Sequence, residues 1–240
     1  MIITIISDLH GEYPTLPGGD LLIIAGDLTG SDKIVQYEHF AQWLNTLNYK
    51  KIIIVGGNHD NVLEREGSNL FKWWPKVEYL CDSGTEFEGL KIWGSPWTSQ
   101  FPGINRHCCA FSRPFNTSLK DRWDLIPDDI EILVTHSPPF RVFDSLRGEF
   151  GACVGDGDLR EFIDNHRKLR LHVFGHIHEH GGRHCYLKKA GCGNENDVLC
   201  INASILDGNY IKSNDGVKIT YDEGIHEFFV PDPIFHTEKK

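Results

Sequence analysis

Aspartate, asparagine and histidine recur along this chain where apolar runs end. "MIITIIS" is followed by Asp8 and His10, "DLLIIAG" by Asp27, and "KIIIVGG" by Asn58, His59 and Asp60. "IEILVT" is followed by His136, and "LHVFG" by His176 and His178. A lone histidine after an apolar run is commonplace, but five runs ending this way are not what random placement gives. Three carboxylate or amide oxygens (Asp8, Asp27, Asn58) and four imidazoles (His10, His136, His176, His178) suit Mn, Fe, Zn, Ni or Co. Calcium prefers all-oxygen cages and fits less well. The two-residue spacing within Asp8/His10 and within His176/His178 puts each pair on one side of an extended chain. In open α/β sheets the site lies at the carboxyl ends of the strands, and these residues are placed there.

Strands must carry those ends. The first three runs are continuous and isoleucine-rich, as expected for strands covered on both faces. Between the second and third, Ile34, Tyr37, Phe40, Trp43, Leu44 and Leu47 have helical spacing, with Ser31 or Asp32 as the N-cap. This β-α-β crossover implies parallel strands. "VEYLCDSGTEFEGLKIWGSPW" reads as short strands with turns at "DSG" and "EG", closer to an antiparallel sheet. Residues 99–120 read as a long loop. The strand "IEILVTH", the helix "DGDLREFIDNHRKL" and the strand "RLHVFGH" follow, then strand-like "VLCINAS" and "GVKITYDEGIHEFFV". "GCGNEND" reads as a polar hairpin loop. No repeat or linker interrupts the chain, so one domain over 1–240 is expected.

The 240 residues can bury a full core, and no apolar run is long enough to span a bilayer. "MIITIIS" lacks a basic n-region and a cleavage site, so it does not read as a signal peptide. Seven cysteines, an odd number, read as reduced thiols in a cytoplasmic compartment. Cys185, Cys192 and Cys200 invite a zinc reading, but no C-x-x-C pair occurs, and small buried hydrophobes are the better account. The net charge of -10 disfavours nucleic-acid or anionic-membrane binding, although a local site charged by metal ions could still take an anion.

As a set, "DLH", "GDLTG", "GNHD", "THSPP" and "GHIH" resemble, in order and spacing, the motifs of the calcineurin-like metallophosphoesterase superfamily. "GSPWT", "RWDLIP", "LHVFG" and "INAS" are similar to the brain metallophosphoesterase-domain proteins and the related class III cyclic-nucleotide phosphodiesterases. The resemblance implies an α/β fold, a four-layer α-β-β-α sandwich of two mixed sheets flanked by helices, with a dinuclear metal site at the strand carboxyl ends. It implies Asp8, His10, Asp27 and His178 around one divalent ion, manganese first among the candidates. It implies Asp27, Asn58, His136 and His176 around a second, with Asp27 shared. His59 is then the histidine that contacts the phosphate and protonates the leaving oxygen. Two such ions can clamp a phosphoryl group and generate a bridging hydroxide near neutral pH. The expected activity is a metal-dependent phosphodiesterase acting on small phosphate esters, cyclic nucleotides among them, with a nuclease or a low-activity nucleotide-binding regulator as alternatives. Gly30 and Ser31 stand where protein phosphatases carry an acid and an arginine, which disfavours phosphoprotein substrates.

Other residues carry weaker signals. Arg106, His107 and Arg113 could touch substrate or simply lie at the surface. His180 and His184 are expected to face solvent, His172 to pack against the sheet, and "FKWWP" to serve core and rim packing. Asn202 either orients a metal ligand or completes a turn.

Overall fold

The computed structural model describes residues 1–72, 74–100, 108–146, 151–188 and 197–231. Trp73, Arg106, His107, Cys192 and most of the expected "GCGNEND" hairpin lie outside them. The chain opens with β1 (Ile2–Ile6), β2 (Gly19–Ala25), α1 (Ile34–Thr46), β3 (Tyr49–Val55), α2 (Asn61–Glu66) and β4 (Val77–Leu80). A second series follows: β5 (Ser83–Phe87), β6 (Leu90–Ser95), β7 (Thr98–Ser99), β8 (Ser112–Arg113), α3 (Lys120–Trp123) and β9 (Ile132–Thr135). The rest comprises α4 (Gly157–Asn165), β10 (Leu171–Phe174), β11 (His184–Leu187), β12 (Val198–Asn202), β13 (Val217–Asp222) and β14 (Glu227–Phe229).

Two six-stranded mixed sheets result, in the orders β14-β13-β1-β2-β3-β4 and β11-β12-β10-β9-β6-β5. In the first, β1 to β4 run parallel and the antiparallel β13 and β14 extend one side; in the second, four central strands run parallel and each edge strand is antiparallel to its neighbour. The stretch expected to be antiparallel throughout is therefore divided. β4 pairs with β3 in parallel, because the chain returns to the first sheet through a helical crossover, and only β5 and β6 form a hairpin. The turn at Asp82 carries the chain from one sheet to the other.

Strand alternation explains the layers. Ile3, Ile5, Leu21, Ile23, Ile53 and Val55 point between the sheets, against Ile132, Val134, Leu171, Val173, Leu199 and Ile201. Their neighbours Ile6, Leu22, Ile24, Ile52 and Ile54 pack outward against Tyr37, Phe40 and Leu44 of α1. Leu133, Phe174, Val198 and Cys200 pack against Trp123, Leu159 and Ile163 of α3 and α4 on the far side. Each fully buried isoleucine or leucine stabilises by about 1.5–3 kcal/mol. The four layers are helix, sheet, sheet, helix.

α1 departs in detail from the spacing argument: Ile34 is exposed, while Trp43 and Leu47 are half-buried. Its N-cap is Lys33, not Ser31 or Asp32. The Gln36 side chain accepts from the backbone of Ser31 and Lys33, and Asp32 is turned instead toward Tyr37 and the Val62 N–H. α4 follows the rule, with the Asp156 carboxylate accepting from Leu159 N at 2.6 Å.

Candidate metal centre

The two sheets are joined at one end. Past β1, Ser7 N donates to Ala203 O and its carbonyl accepts from Ile205 N, so the extensions of β1 and β12 run side by side. The carboxyl ends of β1, β2, β3, β9 and β10 converge there. Those of β1, β2 and β10 turn sharply to aim side chains into the gap, and the backbone shows how. Asp8 (φ 55°), His10 (φ 43°), Asp27 (φ 54°) and His176 (φ 67°) all occupy the left-handed region, at about 1–2 kcal/mol each. Glycines give the clearance. Gly26, at φ 105°, lies where a Cβ would strike His136, and a Cβ on Gly175 would strike Asp8 and Ser7. Each sheet thus places a glycine beneath a polar side chain of the other.

The structure brings Asp8, His10 and His178 together, and likewise Asp8, Asp27 and His136, with donor atoms within 4.8 Å of one another. Asp8 accepts from the backbone of His176 and lies 3.2 Å from His178 Nε2. Burial alone would raise its pKa, but His178 and His136 hold it down to about 2. Asp27 Oδ1 accepts from His59 N at 2.9 Å. Its Oδ2 faces His136 Nε2 at 3.4 Å, His10 Nε2 at 3.5 Å and His59 Nε2 at 4.0 Å. Asp27 too is held well below the ordinary carboxylate range, with burial opposing and His136 prevailing. Among the described residues, no lysine or arginine lies within ion-pair distance of Asp8 or Asp27. Buried carboxylates without such a partner call for another cation.

The imidazoles divide into two kinds. Burial works against the charge of His136, but Asp27 prevails and raises its pKa to about 9; His178 is raised in the same way by Asp8. Burial pushes His10 down to about 4 and His176 to about 3. His136 Nδ1 lies 2.8 Å from the Ala25 carbonyl; donating there leaves the Nε2 lone pair for the centre, beside Asn58 Oδ1 at 3.0 Å. The His176 ring stands 4.9 Å from that of His136. His59 differs from the others. Its side chain is 23% exposed, against 7% for His10 and 8% for His178, and its Nδ1 lies 3.3 Å from Cys108 Sγ.

Several supporting residues had little or no sequence signal. Asp60, read only as the neighbour of His59, is buried and accepts from Gly57 N and Leu28 N, bracing the loops that carry Asp27 and Asn58. Burial and the charge of Asp27 push it up to about 7. Tyr37 Oη lies 3.0 Å from both Asp32 Oδ1 and Asp60 Oδ1. The Tyr37 hydroxyl thus ties the two carboxylates together. Asn202 donates to the Ile177 carbonyl at 2.9 Å, between His176 and His178, and so fixes the turn that aims them. Cys108 and Tyr210 line the cleft with no motif to announce them.

The remaining residues divide. His172 is buried against Thr135, as expected, and His184 is exposed. His180 does not face solvent: it is half-buried, with Nε2 2.9 Å from Ser145 Oγ, because the Ser145–Cys153 bridge folds over it. Arg113 is committed to a two-pronged ion pair with Asp121. Cys185 and Cys200 face each other across β11 and β12, and no cysteine joins a candidate metal group among the described residues.

Buried carboxylates and imidazoles at the strand ends of a four-layer sandwich define a site for divalent cations. The family profile for calcineurin-like phosphoesterases matches residues 1–180. Human metallophosphoesterase domain-containing protein 1 is 30% identical over 89% of this chain and 69% of its own length. A UPF0046 protein of Caenorhabditis elegans is 31% identical over 83% of this chain and 72% of its own. One solved structure superposes with a TM-score of 0.65 at 14% identity, covering 95% of this chain and 97% of the other. A putative 5'-nucleotidase from Staphylococcus aureus superposes with a TM-score of 0.50 at 12% identity, covering 95% of this chain and 52% of that one. The chain belongs to the calcineurin-like phosphoesterases and is a metal-dependent phosphoesterase, a hydrolase. No helix among the described residues is long and apolar enough to cross a membrane.

Proposed function

We propose that the chain hydrolyses small phosphodiesters, cyclic nucleotides among the candidates, and that it uses two divalent transition-metal ions. Asp8, His10, Asp27 and His178 would hold one, and Asp27, Asn58, His136 and His176 the other. The observation that carries this reading is the pair of buried carboxylates, Asp8 and Asp27, surrounded by imidazoles and, among the described residues, without a lysine or arginine in ion-pair distance. When bound, such ions supply Lewis-acid charge to the phosphoryl oxygens and a water of lowered pKa. The chain's own residues do the rest. Asp27 turns one oxygen inward while His59 N–H holds the other, which suits it to serve both ions. The Ala25 carbonyl and Asn202 fix the ring and turn that aim His136, His176 and His178. His59, the more open imidazole, delivers a proton to the leaving oxygen. Its location in a reducing, cytoplasmic compartment is part of the same reading, supported by the free cysteines.

The test is a panel with manganese: bis(p-nitrophenyl) phosphate, p-nitrophenyl phosphate, cyclic nucleotides and single-stranded DNA, alongside elemental analysis. Turnover of diesters with about two ions per chain is expected. Cleavage of DNA alone would replace this reading with a nuclease, and no turnover with a nucleotide-binding regulator.

A further inference from the structure

The turn after β12 brings to the cleft a side chain that no metal set uses. Asp207 Oδ1 accepts from Asn209 N at 2.8 Å and Ile211 N at 3.0 Å, and the Asp207 carbonyl accepts from Tyr210 N at 2.9 Å. Held in this turn, Tyr210 takes φ 60°, an uncommon and costly conformation for an aromatic residue. Its ring meets His10 and His178 edge-on, with centroids 5.0 and 4.9 Å away and interplanar angles of 66° and 72°. Yet the residue stays 57% exposed. The fold accepts strain to present an aromatic surface that stays largely exposed.

The surroundings narrow what could lie there. The cleft that contains Tyr210 is also lined by Leu146 and Ile177, which are apolar, and by Glu179. Among the described residues lining it there is no lysine or arginine. Among the described residues a second phosphate would find no cationic partner there and would meet the Glu179 carboxylate. A flat apolar group would find a ring to stack on, with its charge confined to the reacting phosphate.

We propose that Tyr210 determines specificity by stacking on an aromatic group of the ester that stays on the phosphate, so that aryl or nucleoside diesters are preferred over alkyl ones. This rests on the phosphodiesterase reading above. The test holds the leaving group constant, using methyl p-nitrophenyl phosphate, bis(p-nitrophenyl) phosphate and thymidine 5'-(p-nitrophenyl phosphate) with manganese-loaded protein. Tyr210→Leu is expected to lower kcat/KM about tenfold on an aromatic diester, through KM, and less than about twofold on the methyl diester. Tyr210→Phe should behave as wild type. A loss on the bis-aryl substrate alone assigns the ring to a directly attached aryl group; a loss on the thymidine ester alone assigns it to a base. An equal loss on all three, with Tyr210 then merely supporting His10 and His178, overturns the proposal, as does no loss on any. Calorimetry with phenylphosphonate and methylphosphonate gives a readout independent of turnover. Wild type should prefer the phenyl compound and Tyr210→Leu should not; no preference in wild type overturns the proposal. A phenyl preference without diester turnover would instead sink the phosphodiesterase reading and leave the stacking intact.

Discussion

The crests of the two sheets contribute opposite chemistry. The first sheet brings the buried oxygens Asp8 and Asp27, with Asn58, His10 and His59, while the second brings only imidazoles: His136, His176 and His178. The first crest alone would hold two buried negative charges with no counter-ion, and the second alone a set of neutral bases. Apposed, they shift one another. Asp8 falls to about 2 while His136 rises to about 9, each in the field of a carboxylate–imidazole pair formed across the gap. Burial and the neighbouring charge of His136 push His176 down to about 3. Charge balance here is a property of the apposition. In the metal-free protein, protons on the second crest stand in for cations.

The strongest way to break this comparison is Asp27→Ala, which removes the oxygen that faces His10, His136 and His59 at once. A loss of activity of about 10³-fold or more is expected, together with loss of metal by elemental analysis. Normal rate with both ions retained would refute its shared role.

His59→Ala separates an open imidazole from the enclosed ones. Metal content should persist while the rate falls by about 10²–10⁴-fold on substrates with poor leaving groups. p-Nitrophenolate needs no proton to leave, so p-nitrophenyl esters should suffer less. Comparing kcat/KM on a cyclic nucleotide and on bis(p-nitrophenyl) phosphate decides it. Equal losses would leave His59 a phosphate contact only.

Gly175→Ala tests the closeness of the crests, since its Cβ would press on Asp8 and Ser7 across the joint. Overpacking of this kind costs about 1–3 kcal/mol, which denaturant unfolding would read. The same change at the exposed Gly157, where a Cβ meets nothing, should cost far less.

The pH dependence of chelated protein sharpens the proton argument. Folded His136 keeps its proton up to about 9, and His178 is raised too, whereas the unfolded chain releases such protons near 6.5. That stability is fully present below about 6.5 and fades as pH rises through about 9. His10, His172 and His176 are held neutral, down to about 4, 3 and 3, so below about 6.5 the unfolded chain gains protons they refuse and stability falls again. The depressed Asp8 contributes fully above about 3.8 and loses that contribution as pH falls through about 2. Thermal midpoints should therefore peak near pH 6–7 without metal. With manganese the alkaline decline should shrink, because ligation requires deprotonated imidazole. A flat metal-free profile from 6.5 to 9 would refute the stand-in role of the protons.

Much of this architecture is legible in the chain itself. Continuous isoleucine runs mark the parallel strands, and the polar residues at their ends mark the crests, because strand alternation and chain direction are local. What is hidden depends on contacts far away in sequence. Nothing around Val77–Leu80 says whether that strand joins β3 or β5, since both pairings bury the same side chains. The left-handed backbones of Asp8, Asp27 and His176 follow from where the opposite crest lies. His180 looks like a surface residue until Ser145 folds over it, and the Tyr210 ring meets His10 and His178, both far from it in sequence.

The pairing of β1 with β13 has a consequence for assembly. Asp8 and His10 are synthesised long before residues 217–220, yet β1 sits inside its sheet, flanked by β2 on one side and by those residues on the other. Ser7 also needs Ala203 and Ile205 beside it before the joint between the crests closes. Contacts spanning nearly the whole chain form slowly, because loop closure must be met before they reward it. Metal capture is therefore expected to follow synthesis of β12 and β13, and a nascent chain would carry Asp8 and His10 without their partners until then.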